Sequence, residues 1–459
     1  MKTVAIVGRP NVGKSTFFNY IVGKRISIVE DIPGVTRDRI YAEASWRDKS
    51  FTVIDTGGIE FKSDDDIEIQ MKDQVDLAID MADCILFITD MKQGVTSGDK
   101  EIAQYLRKSK KPIILVVNKA DNYGDTSLDV YEFYNLGLGE PHPISSVNAI
   151  GIGDVLDLVY DNLPDEKDEE DKDRIKVSII GKPNVGKSSL VNKILGENRV
   201  IVSDVAGTTR DATDTPFDND KGKYVIIDTA GIRRHSKIEE NVEKYSVMRS
   251  DMAIERADVC IIMIDANDGV TDQDTKIAGK AHEAGKGIII AVNKWDEYGK
   301  KLESKDVLEN ATKANEMKTS ADMKEYNAKI YHDLPYLTYA PIIYISALTG
   351  KNVNKLFDLI NLVHEHNSFR AGTSVVNNIL NEAIATVQPP SDKGRRLKIY
   401  YMTQVSTNPP TFVVFVNSKK LFHFSYERYL INRLRKEFDL TGTVVRIIVR
   451  ERSEKEANK

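Results

Sequence analysis

This 459-residue sequence predicts two tandem α/β domains with doubly wound parallel sheets, followed by a small α+β module. Three observations point to that fold. A set of short motifs occurs twice in the same order, at offsets of 173, 173 and 175 residues. Each motif follows a short apolar run of the kind that buried parallel strands make. From Thr373 onward the pattern changes to helix, two strands, helix and strand. A repeat of whole-domain length means two separate sites in tandem, not a solenoid.

In the first copy the apolar runs are Val4–Val7, Phe51–Ile54, Cys84–Thr89 and Ile113–Val117. Short runs of this length read as fully buried strands, and the crossovers between parallel strands need helices. Residues 1–163 form this first domain. Residues 164–174 are almost all charged, cannot bury a core, and read as a solvated acidic linker. The second domain, 175–367, repeats the pattern with Lys176–Ile180, Tyr224–Ile227, Val259–Ile264 and Gly287–Val292. Lys300–His332 is an extra charged stretch without Pro and reads as a surface helical insertion. The last domain is 368–459. Its first helix carries Val376, Ile379, Leu380, Ala383, Ile384 and Val387 on one face and stops before Pro389-Pro390. Arg396–Gln404 and Thr411–Val416 read as strands, Ser425–Phe438 as a helix and Val444–Val449 as a last strand.

Composition narrows the function classes. Hydrophobic residues make up 41% and charged residues 29%, ordinary for a globular protein. Cys84 and Cys260 sit at equivalent places in apolar runs and read as small buried strand residues, so a reducing cytoplasm fits. The strand at Thr3–Val7 leaves no room for a signal peptide, and no apolar run reaches the roughly 20 residues that span a bilayer. No stable membrane anchor is expected, and a monomer is the default. The net charge of −6 is unevenly spread: Arg370–Lys459 holds 16 Lys+Arg against 8 Asp+Glu, while the remainder holds 48 against 62. A basic module on an acidic body suggests a polyanionic partner. Its candidate contacts are Arg395, Arg396, Lys398, Arg433, Arg435, Lys436, Arg446 and Arg450.

The motifs themselves point to nucleotide chemistry. Gly8-Arg9-Pro10-Asn11-Val12-Gly13-Lys14-Ser15 recurs as Gly181-Lys182-Pro183-Asn184-Val185-Gly186-Lys187-Ser188. In such a loop glycines let backbone N–H groups turn inward around phosphate, and the following helix adds its positive end. Lys14 and Lys187 are expected to bridge the β- and γ-phosphates, and Ser15 and Ser188 to ligate Mg²⁺. Thr16 and Ser189 follow in the helix as further nucleotide contacts. Asp55-Thr56-Gly57-Gly58 and Asp228-Thr229-Ala230-Gly231 add a carboxylate near the metal and, at Gly58 and Gly231, an N–H that senses the γ-phosphate. Thr36 and Thr209, each before Arg-Asp, stand where a switch threonine joins Mg²⁺. Lys14, Thr36 and Gly58, with Lys187, Thr209 and Gly231, are the groups expected to act in hydrolysis.

Base choice follows from Asn118-Lys119-Ala120-Asp121 and Asn293-Lys294-Trp295-Asp296. A carboxylate accepts two parallel hydrogen bonds from guanine N1–H and the 2-amino group, and adenine offers no such pair. Asp121 and Asp296 therefore select guanine, Asn118 and Asn293 brace the loop, and the Lys119 and Lys294 stems lie along the base. Ser145-Ser146 and Ser346-Ala347 read as the backbone contact to guanine O6. Where Ras-like proteins carry a water-orienting glutamine, this chain has Ile59 and Ile232, so slow intrinsic hydrolysis is expected. Glu60, Arg233, Arg234 and His235 are nearby candidate helpers.

Taken together, the tandem GRPNVGKS/GKPNVGKS loops, PGVTRD/AGTTRD switches, DTGGI/DTAGI and NKAD/NKWD, with Arg395-Arg396-Leu397-Lys398-Ile399-Tyr400-Tyr401 in the tail, resemble the bacterial Der (EngA) double-GTPase family over essentially the whole chain. The resemblance implies two TrmE-like GTPase domains and a KH-like C-terminal domain. It further implies a GTP/GDP-controlled role in large-ribosomal-subunit assembly with binding to ribosomal RNA. It also implies a K⁺ ion near Asn11 and Asn184. Two departures stand out: no GxxG loop occurs after Arg370, and the second domain is lengthened near 300–332. Two other function classes compete. One is an RNA-dependent scaffold in which one nucleotide site is structural; the other is a membrane-associated GTPase, which lacks an anchor or a clear basic amphipathic helix.

Overall fold

The continuous Val/Ile runs do become parallel strands buried on both faces. The computed structural model describes residues 2–23, 41–56, 75–76, 78–79, 82–109, 111–121, 127–163, 173–196, 201–202, 214–229, 243–298, 314–392 and 395–452. The chain divides into two compact units, Met1–Asp168 and Glu169–Lys459.

In the first unit the strands are β1 (Lys2–Val7), β2 (Tyr41–Trp46), β3 (Lys49–Asp55), β4 (Cys84–Asp90), β5 (Ile113–Asn118) and β6 (Pro141–Pro143). They lie in the order β2-β3-β1-β4-β5-β6, with only the β2–β3 pair antiparallel. The strand order reverses at β1, so a crevice opens beyond its carboxyl end, where ligands bind in open α/β sheets. Helix α1 (Lys14–Gly23) starts there. Helix α2 (Ser97–Leu106) begins with a Thr96–Asp99 capping box, and α3 (Ile152–Asn162) buries Ile152, Val155, Leu156 and Val159. Both sheet faces are apolar: Val4, Ile6, Leu86 and Val116 on one, Ala5, Val7, Phe87 and Leu115 on the other.

The second unit repeats the plan with β7 (Ile175–Ile180), β8 (Ile201–Val202), β9 (Thr215–Asn219), β10 (Gly222–Ile226), β11 (Val259–Asp265), β12 (Gly287–Asn293) and β13 (Ile342–Tyr344). The order is β13-β12-β11-β7-β10-β9-β8, the first plan with one further antiparallel edge strand. Its helices are α4 (Lys187–Leu195), α5 (Glu243–Arg256), α6 (Asp272–Glu283), α7 (Ala314–Asp333) and α8 (Val353–Asn367). Cys84 and Cys260 lie inside β4 and β11, and burial pushes both thiols up to about 12.

Strands β2, β6, β8, β9 and β13 go beyond the sequence expectation. They are edge or near-edge strands, short or half-exposed, so they lack the continuous apolar signal of the central ones. The insertion also differs from its reading as a surface element. Residues 299–313 lie outside the described residues, but α7 buries Tyr326 and Ile330 in the domain core. The tyrosine supplies the apolar face that a count of charges misses.

The C-terminal part of this unit is α9 (Thr373–Thr386), the short hairpin β14 (Ser391–Asp392) and β15 (Arg395–Arg396), β16 (Ile399–Ser406), β17 (Thr411–Val416), α10 (Phe424–Glu437) and β18 (Arg446–Glu451). Strand β16 pairs antiparallel with β17, and β18 pairs parallel with it. Leu380, Met402, Phe412, Leu430 and Leu434 form its core.

This module is fastened to the second nucleotide domain by backbone. Ile288 N–H donates to Gly442 O at 2.7 Å, and Gly442 N–H donates to Tyr339 O at 2.8 Å. Gly442 has φ +78°, and a Cβ there would stand 2.2 Å from Val363 Cγ2, so only glycine fits. The Arg435 guanidinium lies 4.5 Å over the Tyr339 ring and donates to Leu440 O, while Arg446 donates to Glu283 O. Two of the eight basic candidates for a polyanion are therefore committed to this seam.

Candidate functional site: two nucleotide loops

Each phosphate loop is held by an asparagine that crosses it. Asn118 Nδ2 donates to Val12 O at 2.8 Å, and its Oδ1 accepts from Ser146 N–H at 3.0 Å. Asn293 repeats this with Val185 O at 2.8 Å and Ala347 N–H at 2.9 Å. The crossing dictates glycine beneath it. A Cβ on Gly13 (φ +98°) or Gly186 (φ +102°) would lie 2.3 Å from that amide nitrogen. One side chain thus ties the phosphate loop, the NKxD segment and the Ser145-Ser146 or Ser346-Ala347 turn into one frame.

The P-loop lysines are bent over their own loops. Lys14 Nζ donates to Gly8 O and Arg9 O, both at 2.7 Å, and Lys187 Nζ to Gly181 O and Lys182 O, both at 2.8 Å. Burial pushes each ammonium down to about 8; Asp55 opposes this at Lys14 and Asp274 opposes it at Lys187. A buried cation facing carbonyl oxygens is well placed to gain a stronger anionic partner. Neither α1 nor α4 carries an acidic residue in its first turn, which leaves the positive helix end unneutralised.

At the carboxyl end of β3, Ser15 Oγ donates to Asp55 Oδ2 at 2.8 Å. A hydroxyl and a carboxylate converging beside the P-loop form an oxygen donor set that suits Mg²⁺. Beside them Thr56 Oγ1 donates to Ile6 O at 2.7 Å. The second copy departs here. Strand β10 stops at Ile226, Asp228 has φ +56° and gives its N–H to Asp214 Oδ1 at 2.9 Å, and the Thr229 hydroxyl pairs with Thr215 at 2.8 Å.

The carboxylates that end the Asn118–Asp121 and Asn293–Asp296 motifs also differ in setting. Asp121 accepts from Lys92 Nζ at 2.6 Å and from Ser145 Oγ at 2.8 Å, and these bonds hold its carboxyl below the usual range. Lys119 and Lys294 lie alike: Lys119 Nζ reaches Asn11 O at 2.7 Å and Asp90 Oδ2 at 2.6 Å, and Lys294 Nζ reaches Asp265 Oδ2 at 2.6 Å. Asp296 follows Trp295, which is packed against three tyrosines.

Thr36, Gly57, Gly58, Ile59 and Glu60, like Thr209, Ala230, Gly231, Ile232, Arg233, Arg234 and His235, lie outside the described residues. Pro10, Thr16, Pro183 and Ser189 sit in or next to the loops at exposed positions. Sequence reasoning missed Lys92, Asp90, Asp99 and Trp295, together with Asp265 and Asp274. The signal was available for the acids: Asp90 and Thr96-x-x-Asp99 recur as Asp265 and Thr271-x-x-Asp274, at the offset of the base motif.

The family described as "50S ribosome-binding GTPase" matches residues 3–119 and 176–294. The family described as "KH-domain-like of EngA bacterial GTPase enzymes, C-terminal" matches residues 370–450. Among curated proteins, GTPase Der of Acetivibrio thermocellus is 59% identical over 450 residues, covering 98% of both chains. GTPase Der of Ruminiclostridium cellulolyticum is 58% identical with the same coverage. That of Agathobacter rectalis is 57% identical over 454 residues, 99% of both. With both nucleotide loops and the KH-like module accounted for along nearly its full length, the chain belongs to the Der (EngA) family of tandem GTPases: it binds guanine nucleotides and hydrolyses GTP.

Proposed function

We propose that the chain is a cytoplasmic, monomeric GTP-driven switch in the biogenesis of the large ribosomal subunit, binding ribosomal RNA or particles according to nucleotide state. The observation that supports this most is the full-length similarity to proteins of the Der family, joined to a C-terminal module with a basic surface. Arg395, Arg396, Lys398, Lys436 and Arg450 of that module are exposed, whereas Arg435 and Arg446 hold it to the second nucleotide domain. A module fixed in this way presents its charges in one orientation relative to that domain. Multiple phosphate contacts make such binding salt-dependent.

Within each site, the P-loop N–H groups and Lys14 or Lys187 hold the phosphates, and Asp121 or Asp296 reads guanine. Ser15, Asp55 and Thr36, with Ser188, Asp228 and Thr209 in the second site, would hold Mg²⁺, which supplies neutralisation of the β/γ-phosphate charge. Asn11 and Asn184, exposed at φ +64° and +61°, are the side chains that would hold K⁺. The test is co-sedimentation with purified large ribosomal subunits in GDP or a non-hydrolysable GTP analogue at two salt concentrations. Salt-sensitive binding that depends on the nucleotide is expected. No binding in either nucleotide overturns the ribosomal role and leaves the GTPase activity standing.

A further inference from the structure

The second base-recognition loop is built into an aromatic box around Trp295, at the position where the first domain has Ala120. Trp295 lies between Lys294 and Asp296 and is 8% exposed. Its ring stands 5.0 Å from that of Tyr298, nearly parallel, 4.2 Å from Tyr344, and 5.5 Å from Tyr326, edge-on. Tyr326 is the buried tyrosine of α7, and its hydroxyl donates to Ala266 O at 2.9 Å. Ala266 directly follows Asp265, the carboxylate that fixes Lys294. Tyr344 in turn donates to Asn327 Oδ1 on α7 at 2.7 Å. Helix α7 therefore touches the loop before α6 and the Trp295 ring through one residue. In the first domain Ala120 stands at the tryptophan position. Edge-to-face and stacked pairs of this kind hold rings in one geometry beyond their burial.

Resting on the reading that Asp296 recognises guanine, we infer that Tyr326 is a positioning residue for guanine at the second site. Through Trp295 it fixes the loop that bears Asp296, so that α7 governs how tightly this site, and not the first, holds its nucleotide. A carboxylate that accepts two parallel hydrogen bonds loses selectivity when its loop gains freedom, because both bonds need one orientation.

The test uses the full chain with guanine binding at the first site removed by Asp121→Asn, and two probes, GDP and inosine diphosphate, which lacks the 2-amino group. In that background Tyr326→Ala is expected to release GDP about tenfold faster and to narrow the preference for GDP over inosine diphosphate. Tyr326→Phe, which keeps the ring, should restore most of both. Should the alanine variant not fold, Tyr326→Leu keeps most of the buried volume and carries the same two readouts. A lowered melting temperature with unchanged release and unchanged base preference makes the box mere core packing and overturns the inference. Asp296→Asn separates the two readings. If it leaves the base preference intact, the assignment of Asp296 fails. If it abolishes the preference while Tyr326→Ala does not alter it, only the role of Tyr326 fails.

Discussion

In the first P-loop Arg9 sends Nε to Asp99 at 2.8 Å and Nη1 to Gln93 at 3.1 Å. In the second, Lys182 reaches Asp268 at 2.8 Å, and Asp274 Oδ1, the counterpart of the Asp99 oxygen, is buried without a hydrogen-bond partner among the described residues. Both acids are fully buried and both close a capping box at the start of the following helix. The difference lies in the cation: a guanidinium fork serves two acceptors in one plane, whereas an ammonium is a point charge that follows the nearer, more solvated acid. The base loops differ in the opposite sense, with Ala120 in the first and the Trp295 box in the second. The first copy is thus braced at its Gly8–Ser15 loop and the second at its Asn293–Asp296 motif. The motifs are duplicated while the side chains that support them differ.

The largest expected effect asks whether the two sites share a chemistry at all. Lys14→Ala and Lys187→Ala should each cut hydrolysis at their own site about 10²–10³-fold, as loss of a charge-stabilising donor does, read by single-turnover assays. If either variant keeps full turnover, that site is not the hydrolase and the scaffold reading gains.

Next comes pH. Both ammonium groups sit at about 8 without phosphate, because burial disfavours their charge. A bound phosphate favours the charged form and raises that value. Affinity is therefore complete below 8 and falls as pH rises above it, by up to about tenfold per pH unit at each site. Equilibrium titration with a fluorescent GDP between neutrality and strongly alkaline pH checks this; a flat profile at one site would show that its lysine does not engage phosphate.

A swap of the P-loop cations sharpens the comparison further. Arg9→Lys should destabilise the first domain by about 1–3 kcal/mol by stranding Asp99, and Lys182→Arg should stabilise the second by about 1 kcal/mol by reaching Asp274. Urea unfolding of each variant measures both, and equal shifts of the same sign would refute the assigned pairing.

The smallest effect concerns Lys92, whose exposed ammonium pairs with Asp121, while Asn267 stands at that place in the second copy. Lys92→Asn should tighten GDP at the first site by about twofold at low salt and have no effect at high salt, as for other exposed ion pairs. Weaker binding instead would make Lys92 a prop for the carboxylate and not its competitor.

Much of this was readable in the sequence. Central strands announce themselves because burial on both faces demands unbroken apolar runs, as in Cys84–Asp90 and Val259–Asp265. The phosphate loops and base motifs are legible because their backbone geometry permits few residues, as Gly13 and Gly186 illustrate. Edge strands such as Tyr41–Trp46 are not legible, since one solvated side removes the signal. Contacts between residues far apart in sequence were also hidden. Nothing local in Arg9 points to Asp99, or in Tyr326 to Trp295; only the fold brings them together.

The seam at Gly442 has a consequence for how the molecule is made. Its carbonyl and amide engage Ile288 and Tyr339, so two backbone groups of the second nucleotide domain find partners in a residue that is synthesised long after them. The first unit contains every strand of its own sheet and can fold as soon as it emerges during translation. The second nucleotide domain likewise holds every strand of its sheet, but its Ile288 N–H and Tyr339 carbonyl meet Gly442 only when the chain returns. Slow or interrupted elongation through the C-terminal module would therefore leave those two backbone groups, and the Tyr339 ring that Arg435 covers, facing water.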